Sequence, residues 1–406
     1  MTVTSDESVA DAKAALIGAT HVKAGPPGLA SALAAGGALT AEWLPAFEAV
    51  PRELFVPDRI WPGVADGTRR NPVVDRSQDP GAWRRAVYSD IPLTTQWDDG
   101  DHQGDGLGTT PSSSNSMPSM VFSMLQDLDV RPGDRVLEIG TGTGWTAGLL
   151  AHRLGDANVV TVEFDPGIAH GARENLERAG LAPTVVEGDG RHGRPEGAPY
   201  DRIITTCSVL EIPPAWLAQT APGGIIVAPF GTEYGGEQIV RLTVNADGTG
   251  ASGRFSRGSA FMRLRRQRTD RRSSADYLRG QERPADGVRT TTTLAPPDTG
   301  GRFEQFVIGA AVPGVFWRAE HYEDGAYTLW LHSRDTLSWA SVDYERGRTA
   351  YEVHQSGPRN LWDEVEAAWR RWDGHGRPGP ERFGLTVTPD AAHTVWLDSP
   401  ENPLGR

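Results

Sequence analysis

The 406-residue chain has one cysteine, Cys207, so it has neither an internal disulfide framework nor a cysteine-based zinc site. It is short of positive charge. A formal net charge of −13 excludes a general nucleic-acid binder, which works by displacing counterions from phosphates. No apolar run approaches the roughly 18–20 residues that span a bilayer. The opening MTVTSDESVADAKAAL is acidic and lacks the basic-then-apolar order of a secretory signal. His102, His152, His170 and His192 are scattered without HExxH spacing. The acidic stretch WDDGDHQGDG has Thr109 where a calcium loop beginning at Asp98 needs a glutamate. No metal site is therefore expected, and 97–106 reads as a solvated acidic loop. These absences point to a cytoplasmic protein with no membrane and no nucleic-acid partner, long enough for two or three domains.

The chain divides by texture. Residues 1–25 read as a disordered tail. Residues 26–116 form an N-terminal helical and loop-rich region in which helical spacing breaks at Pro51 and Pro57, and between 62 and 113 only YSDIPL looks ordered. Such a long irregular stretch is more than a compact domain needs, which points to substrate contact. From 117 to 231, strands such as RVLEIG, VVTVEF, PTVVEGDG, YDRIITTCS and GGIIVAPFG alternate with helices, the pattern of βαβ units and a parallel sheet. Residues 232–406 form an α+β extension. FEQFVIGAAV, AYTLWLHS and SWASVDY read as short strands there, and GLTVTPDAAHTVWLD as two more. NLWDEVEAAWRRWDG reads as a helix capped by Asn360, with Leu361, Val365, Trp369 and Trp372 on one apolar stripe. Cys207 ends an apolar strand and reads as a small buried residue.

The most informative turn is LEIGTGTGW. Gly140, Gly142 and Gly144 lie where a strand passes into a helix, so the backbone can approach a ligand and the helix offers unpaired N–H groups. Trp145 occupies the place of the third glycine in a GxGxxG dinucleotide motif, against the close packing that motif requires. Glu138 precedes the first glycine and can meet a cationic amino acid moiety. Glu163, at the end of the second strand, suits ribose hydroxyls, and Asp189, at the end of the third, suits an adenine amino group. These acids describe S-adenosyl-L-methionine, with S-adenosyl-L-homocysteine as the product left behind. The candidate cofactor residues are Glu138, Gly140, Thr141, Gly142, Gly144, Glu163, Phe164, Asp189 and Gly190.

AFEAVPRELFVP (46–57), YSDIPL, SNSMP (114–118), LEIGTGTGW, EGDGRHG, APYDRIITT and GGIIVAPFG together resemble the protein L-isoaspartyl O-methyltransferases over about 43–231. The resemblance implies a class I S-adenosylmethionine methyltransferase, an α/β Rossmann-like doubly wound sheet, here with an N-terminal helical segment and a C-terminal α+β extension. It implies a peptide or protein substrate bearing aspartate or isoaspartate. The family's T-x-S-x-P stands here as SNSMP, which makes Ser114 and Ser116 the candidate catalytic residues and Asn115, Met117 and Pro118 the substrate-binding ones. Insertions near 62–87 and 97–112 and the long extension look like the branch associated with ribosomally made, modified peptides, in which an aspartyl ester closes to an aspartimide.

The acceptor chemistry needs little. A carboxylate is already ionised at neutral pH and needs no general base. Neutral donors such as Ser114 and Ser116 can hold it in line, at about 3–3.5 Å from the methyl carbon, without blunting it as a clamping arginine would. Several readings stay open. They are a dedicated modified peptide as substrate, general isoaspartyl repair, a small-molecule methyltransferase, and a non-catalytic peptide-binding protein. The Ser-rich run 111–116 can also be a flexible linker with a helix cap at Ser116 or Asn115. RLRRQRTDRR (263–272), six arginines in ten positions, reads as a solvated loop or strand face, with recognition of an acidic peptide as the alternative. The tryptophans at 362, 369 and 372 read as core. Oligomeric state is not specified by the sequence.

Overall fold

The fold comes from a computed structural model that describes residues 25–63, 72–280, 287–388, 390 and 392–405. The expected tail at 1–25 lies outside the described residues except for Gly25. The chain divides into two compact units, Met1–Ile204 and Thr205–Arg406.

In the first unit α1 (Pro26–Ala35) opens with proline, whose missing N–H is no loss in a first turn. α2 (Leu44–Ala49) stops at Val50 because Pro51 follows. A 3₁₀ turn at Arg52–Phe55 leads to β1 (Arg59–Pro62), β2 (Val74–Asp75), α3 (Pro80–Val87), β3 (Leu93–Trp97) and β4 (Pro111–Asn115). The strands form a four-stranded sheet in the order β2-β1-β3-β4. This corrects the expectation that only YSDIPL is ordered between 62 and 113. The Asp79 carboxylate caps α3 by accepting from the Ala82 N–H at 2.8 Å, and buried Trp83 donates from Nε1 to the Pro57 carbonyl at 2.9 Å. Elements this short carry no readable periodicity among so many Gly, Pro and Asp residues.

The acidic loop between β3 and β4 exposes Asp99, Asp101 and Asp105. Asp98 differs, because it accepts from the N–H groups of Thr109 (3.0 Å) and Thr110 (2.6 Å) and so closes the loop base. Those two backbone hydrogen bonds hold its carboxyl below the usual range. Trp61 packs edge-on to Trp97 and donates to the Gly106 carbonyl at 2.9 Å, and Arg59 pairs with Asp105.

The remainder of this unit runs α4 (Pro118–Leu128), β5 (Val136–Ile139), α5 (Trp145–Leu154), β6 (Val159–Glu163), α6 (Pro166–Arg178), β7 (Thr184–Glu187) and β8 (Tyr200–Thr205). Strand order is β8-β5-β6-β7, with β5, β6 and β7 in parallel register. These are the βαβ crossovers expected from the sequence. Asp165 caps α6 by accepting from Gly167 (2.9 Å) and Ile168 (3.1 Å).

The second unit contains α7 (Pro214–Gln219), β9 (Thr220–Gly231), β10 (Glu237–Val244), β11 (Ala251–Gly258), α8 (Ser274–Leu278), β12 (Val288–Thr292), α9 (Arg302–Ala311), β13 (Val315–His321), β14 (Tyr327–Ser333), β15 (Trp339–Tyr344), β16 (Tyr351–Ser356), α10 (Leu361–Gly374), β17 (Phe383–Val387) and β18 (His393–Leu397). Strands β18-β17-β11-β10-β9 lie side by side in that order, and β12-β16-β15-β14-β13 form a five-stranded antiparallel sheet. Sequence texture placed a boundary after 231, whereas the compact units part at 204/205. β9 pairs with β10 along seven residues, from Glu237↔Gly231 to Thr243↔Ile225, which ties it to the later strands.

FEQFVIGAAV is not a strand but most of α9, in which Phe306, Val307, Ile308 and Gly309 are buried in succession. Asn360 does stand at the N-cap of α10, but its side chain makes no capping bond. Instead the Gln355 amide oxygen accepts from the Trp362 N–H at 3.1 Å. Trp362, Trp369 and Trp372 are core residues at 1%, 8% and 7% exposure. Cys207 is only half-buried.

Candidate active site

The candidate residues all lie in the first unit, at the carboxyl ends of β5, β6 and β7 and on β4. β5 passes into α5 through Gly140, Gly142 and Gly144, with φ of 89°, 53° and 91°, a region in which a side chain would be strained. A Cβ on Gly142 would stand 3.3 Å from the Ser114 carbonyl oxygen, so the serine strand lies directly against the glycine loop. At Gly144 the same atom would meet the Ala172 carbonyl at 3.3 Å, where α6 packs closely. Trp145 begins α5, donates to the Val50 carbonyl at 3.1 Å and packs edge-on to Phe122.

Glu163 is 8% exposed. Its carboxylate accepts from the Gly142 N–H at 2.9 Å and the Asp165 N–H at 3.1 Å, joining the glycine loop to the end of β6. Glu138 is fully buried. Its Oε2 accepts from the Thr161 hydroxyl at 2.7 Å, and Thr161 in turn meets Thr141 at 2.7 Å. Oε1 of Glu138 faces no donor among the described residues. Burial pushes this carboxyl up to about 8, opposed by the Thr161 hydrogen bond and reinforced by Glu163. Asp189 accepts from the Arg191 N–H at 3.0 Å and from its Nη2 at 2.7 Å. Burial alone would raise Asp189, but the side-chain and backbone bonds from Arg191 hold it below the usual range. Gly190 is buried and Phe164 is half-buried.

SNSMP is not a linker, and no cap forms at Ser116 or Asn115. Residues 111–115 are β4, paired to β3 with Leu93↔Asn115 and Thr94↔Ser114. α4 starts at Pro118 behind Met117, and its Ser119 N–H donates to Asp90 at 2.8 Å. The serines fall into two classes. The Ser112 hydroxyl donates to Gln96 Oε1 at 2.8 Å, and Ser113 accepts from Thr95 at 3.2 Å. The hydroxyls of Ser114 and Ser116, both half-buried, have no hydrogen-bond partner among the described residues. Asn115 is 2% exposed, and its Nδ2 donates to Thr143 at 2.9 Å. Met117 is half-buried and Pro118 buried.

Sequence reasoning missed Arg52, the arginine of VPRELF. It is 1% exposed and donates six hydrogen bonds: to Asn115 Oδ1 (2.6 Å) and to the carbonyls of Val87 (2.8 Å), Ser89 (3.1 Å), Ile91 (3.0 Å), Asn115 (3.3 Å) and Ser116 (2.8 Å). Burial lowers its guanidinium to about 9, while Asp90 pulls it back up. An arginine between two motif residues was visible, but partners 35–64 residues away were not.

The sequence profile of the protein-L-isoaspartate(D-aspartate) O-methyltransferase family matches residues 72–267. The protein-L-isoaspartate O-methyltransferase of Ignicoccus hospitalis is 35% identical over 201 residues, which is 49% of this chain and 78% of that protein. The chain belongs to this family. The enzyme of the same name from Anaeromyxobacter dehalogenans is 46% identical over 165 residues, 40% of this chain and 71% of its own length. A solved protein-L-isoaspartate O-methyltransferase at 22% identity superposes with a TM-score of 0.50, covering 92% of this chain and all of the other. The fold is thus that of the class I S-adenosylmethionine methyltransferases, and the likeness extends well past the matched profile.

This methyltransferase takes S-adenosylmethionine as its cofactor, and the residues present fit it. Glu138 has an orphaned buried oxygen suited to a cationic group, and the three loop glycines carry no side chain to stand in a ligand's way. Among the described residues no group of three His, Cys, Asp or Glu side chains is placed to hold a metal, and no helix is long and apolar enough to cross a membrane.

Proposed function

We propose that this carboxyl methyltransferase esterifies the side-chain carboxylate of an L-isoaspartyl or aspartyl residue in a polypeptide, with Ser114 and Ser116 holding the acceptor. The carrying observation is the pair of unpartnered hydroxyls on and just beyond β4, whose Ser114 carbonyl abuts Gly142. When bound, S-adenosylmethionine supplies an activated sulfonium methyl group, so transfer to a carboxylate oxygen moves no proton. Glu138 would face its ammonium and Glu163 its ribose. Asp189 and Gly190, with Phe164, would hold the adenine, and Thr141 would brace Thr161 behind Glu138. The chain's remaining task is orientation. Ser114 and Ser116 donate to the acceptor carboxylate, one lone pair of which stays free to form the new C–O bond. Arg52 and Asn115 act through them, fixing the end of β4 and the Ser116 backbone that follows it, while Met117 and Pro118 set the turn into α4. The ester is then open to attack by the next residue's backbone nitrogen, which loses its proton as methanol departs and a succinimide closes.

General isoaspartyl repair and tailoring of a dedicated modified peptide both fit this chemistry. The second unit does not separate the readings, because the solved relative's fold spans most of this chain.

Mass spectrometry of paired peptides, one with L-isoaspartate and its twin with L-aspartate, tests the acceptor. A methyl ester on the isoaspartyl peptide alone supports repair. Reaction with neither, while S-adenosylmethionine binds, rejects repair and directs attention to a private peptide. Ser116→Ala should lower turnover by about 10- to 100-fold with cofactor affinity unchanged, whereas Glu163→Ala should weaken the cofactor. Equal loss of cofactor binding in both variants removes the assignment of the serines.

A further inference from the structure

The arginine run 263–272 is loop and a 3₁₀ turn, with Arg266, Arg271 and Arg272 exposed and Arg263, Arg265 and Arg268 half-buried. With Leu210, Thr232, Glu233 and Gln267 it lines a cavity of about 190 Å³ within the second unit, to which it contributes Arg263, Arg268, Thr269 and Arg271. We propose that this cavity is a carboxylate-binding pocket, in which Arg263 and Arg271 receive an acidic side chain of a polypeptide.

Arg263 carries the first half of the argument. Its Nη1 is buried and has no hydrogen-bond partner among the described residues. A buried, unmatched guanidinium nitrogen costs free energy unless an acceptor arrives. The group is seated on Gly231, where a Cβ would stand 3.0 Å from Nη2, so the glycine gives it room. Arg271 carries the second half. It has no hydrogen bond or ion pair among the described residues, and its guanidinium lies over the Phe316 ring at 4.9 Å. Stacking fixes the plane and leaves the N–H edge for an acceptor. Burial lowers both guanidinium groups, and an arriving anion would offset that cost.

Glu233 is the one acid among the lining residues, and it is engaged by Arg334 at 2.8 Å. Arg263 also lies in the field of the buried Glu237, whose Oε1 is occupied by the Ser259 hydroxyl at 2.6 Å and the Phe261 N–H at 2.9 Å. Gln267 is committed to the floor, accepting from Leu210 N–H at 2.7 Å and donating to the Glu211 carbonyl at 2.9 Å. The volume is below the roughly 300–1,000 Å³ of small-molecule sites, and it suits one side-chain carboxylate. Choosing a polypeptide as its source rests on the acceptor reading given above.

The test is fluorescence anisotropy of the full chain with a labelled, end-capped peptide alternating Gly and Glu, against its Gly/Gln twin, without cofactor. The Glu peptide should bind and the Gln twin should not. Arg263→Gln and Arg271→Gln should each weaken binding about tenfold, and Glu233→Gln should strengthen it, a direction that misfolding cannot produce. Methylation of an isoaspartyl peptide without other acids should be unchanged in Arg271→Gln, so that loss of the pocket and loss of the acceptor reading show separately. Equal binding of the twins, or indifference to both arginine substitutions, overturns the pocket. Displacement of the peptide by inorganic phosphate at equal concentration overturns the polypeptide assignment.

Discussion

Beside the glycine loop, the interior of the first unit is polar: Arg52, Asn115, Glu138, Thr141, Thr161 and Glu163 are all at most 8% exposed. Between α10 and its sheet, the interior of the second unit is apolar, with Leu331, Val342, Val353, Trp362, Val365 and Trp369 in one cluster. An apolar core tolerates volume-conserving change, because its attraction is non-directional. A buried polar centre stabilises only when each donor meets its acceptor. The first arrangement therefore fixes orientation and the second supplies bulk stability. Orientation is what a transfer without acid–base chemistry requires.

The largest expected effect is at Arg52. Arg52→Met leaves five buried or half-buried carbonyls and the Asn115 side chain without their donor, and should cost about 3–5 kcal/mol in urea unfolding. Arg52→Lys should recover only part of that, since an ammonium cannot span the same acceptors. Full stability in Arg52→Met would erase the contrast between the units. Trp362→Ala, in the apolar core, should cost about 3 kcal/mol through lost burial and a residual cavity, and Trp362→Phe much less. A comparable penalty for Phe would mean that directionality matters there too.

The next effect is a pH slope. The folded-state pKa of Glu138 is raised from 4.5 to about 8, so folding favours its protonated form. Its contribution to stability is fully present below about 4.5 and is lost as pH rises through about 8. Without cofactor, melting temperature should fall across that window relative to Glu138→Gln, and S-adenosylmethionine should flatten the difference by pairing the carboxylate. Parallel pH profiles would show that Glu138 does not carry the burden assigned to it. The smallest effect is Ser112→Ala, about 1 kcal/mol for a hydrogen bond to Gln96. Turnover should be unchanged, in contrast to Ser116→Ala.

Much of the site could be read directly. LEIGTGTGW, VEF and EGDG place their acids at successive strand ends because local β-propensity, glycine turns and α/β alternation are all encoded within short windows. FEQFVIGAAV was misread because its apolar residues satisfy a short strand as readily as a helical face, and only packing of Phe306 and Val307 decides between them. α3 went unseen because its cap, Asp79, and its buried Trp83 stand in a segment dominated by loop formers. β9 is hydrogen-bonded to β10, a pairing that composition does not reveal.

By itself, the sequence determined the βαβ order, the glycine turn, the acids around it and the tryptophan stripe of α10, all matters of neighbouring residues. Only the tertiary structure decided that Ser112 and Ser113 are engaged while Ser114 and Ser116 are not, that Arg52 holds the end of β4 and the Ser116 backbone, and that two arginines converge on one cavity. Those outcomes depend on strand pairing and on partners far apart in the chain, and a directional bond exists only once folding has brought donor and acceptor together.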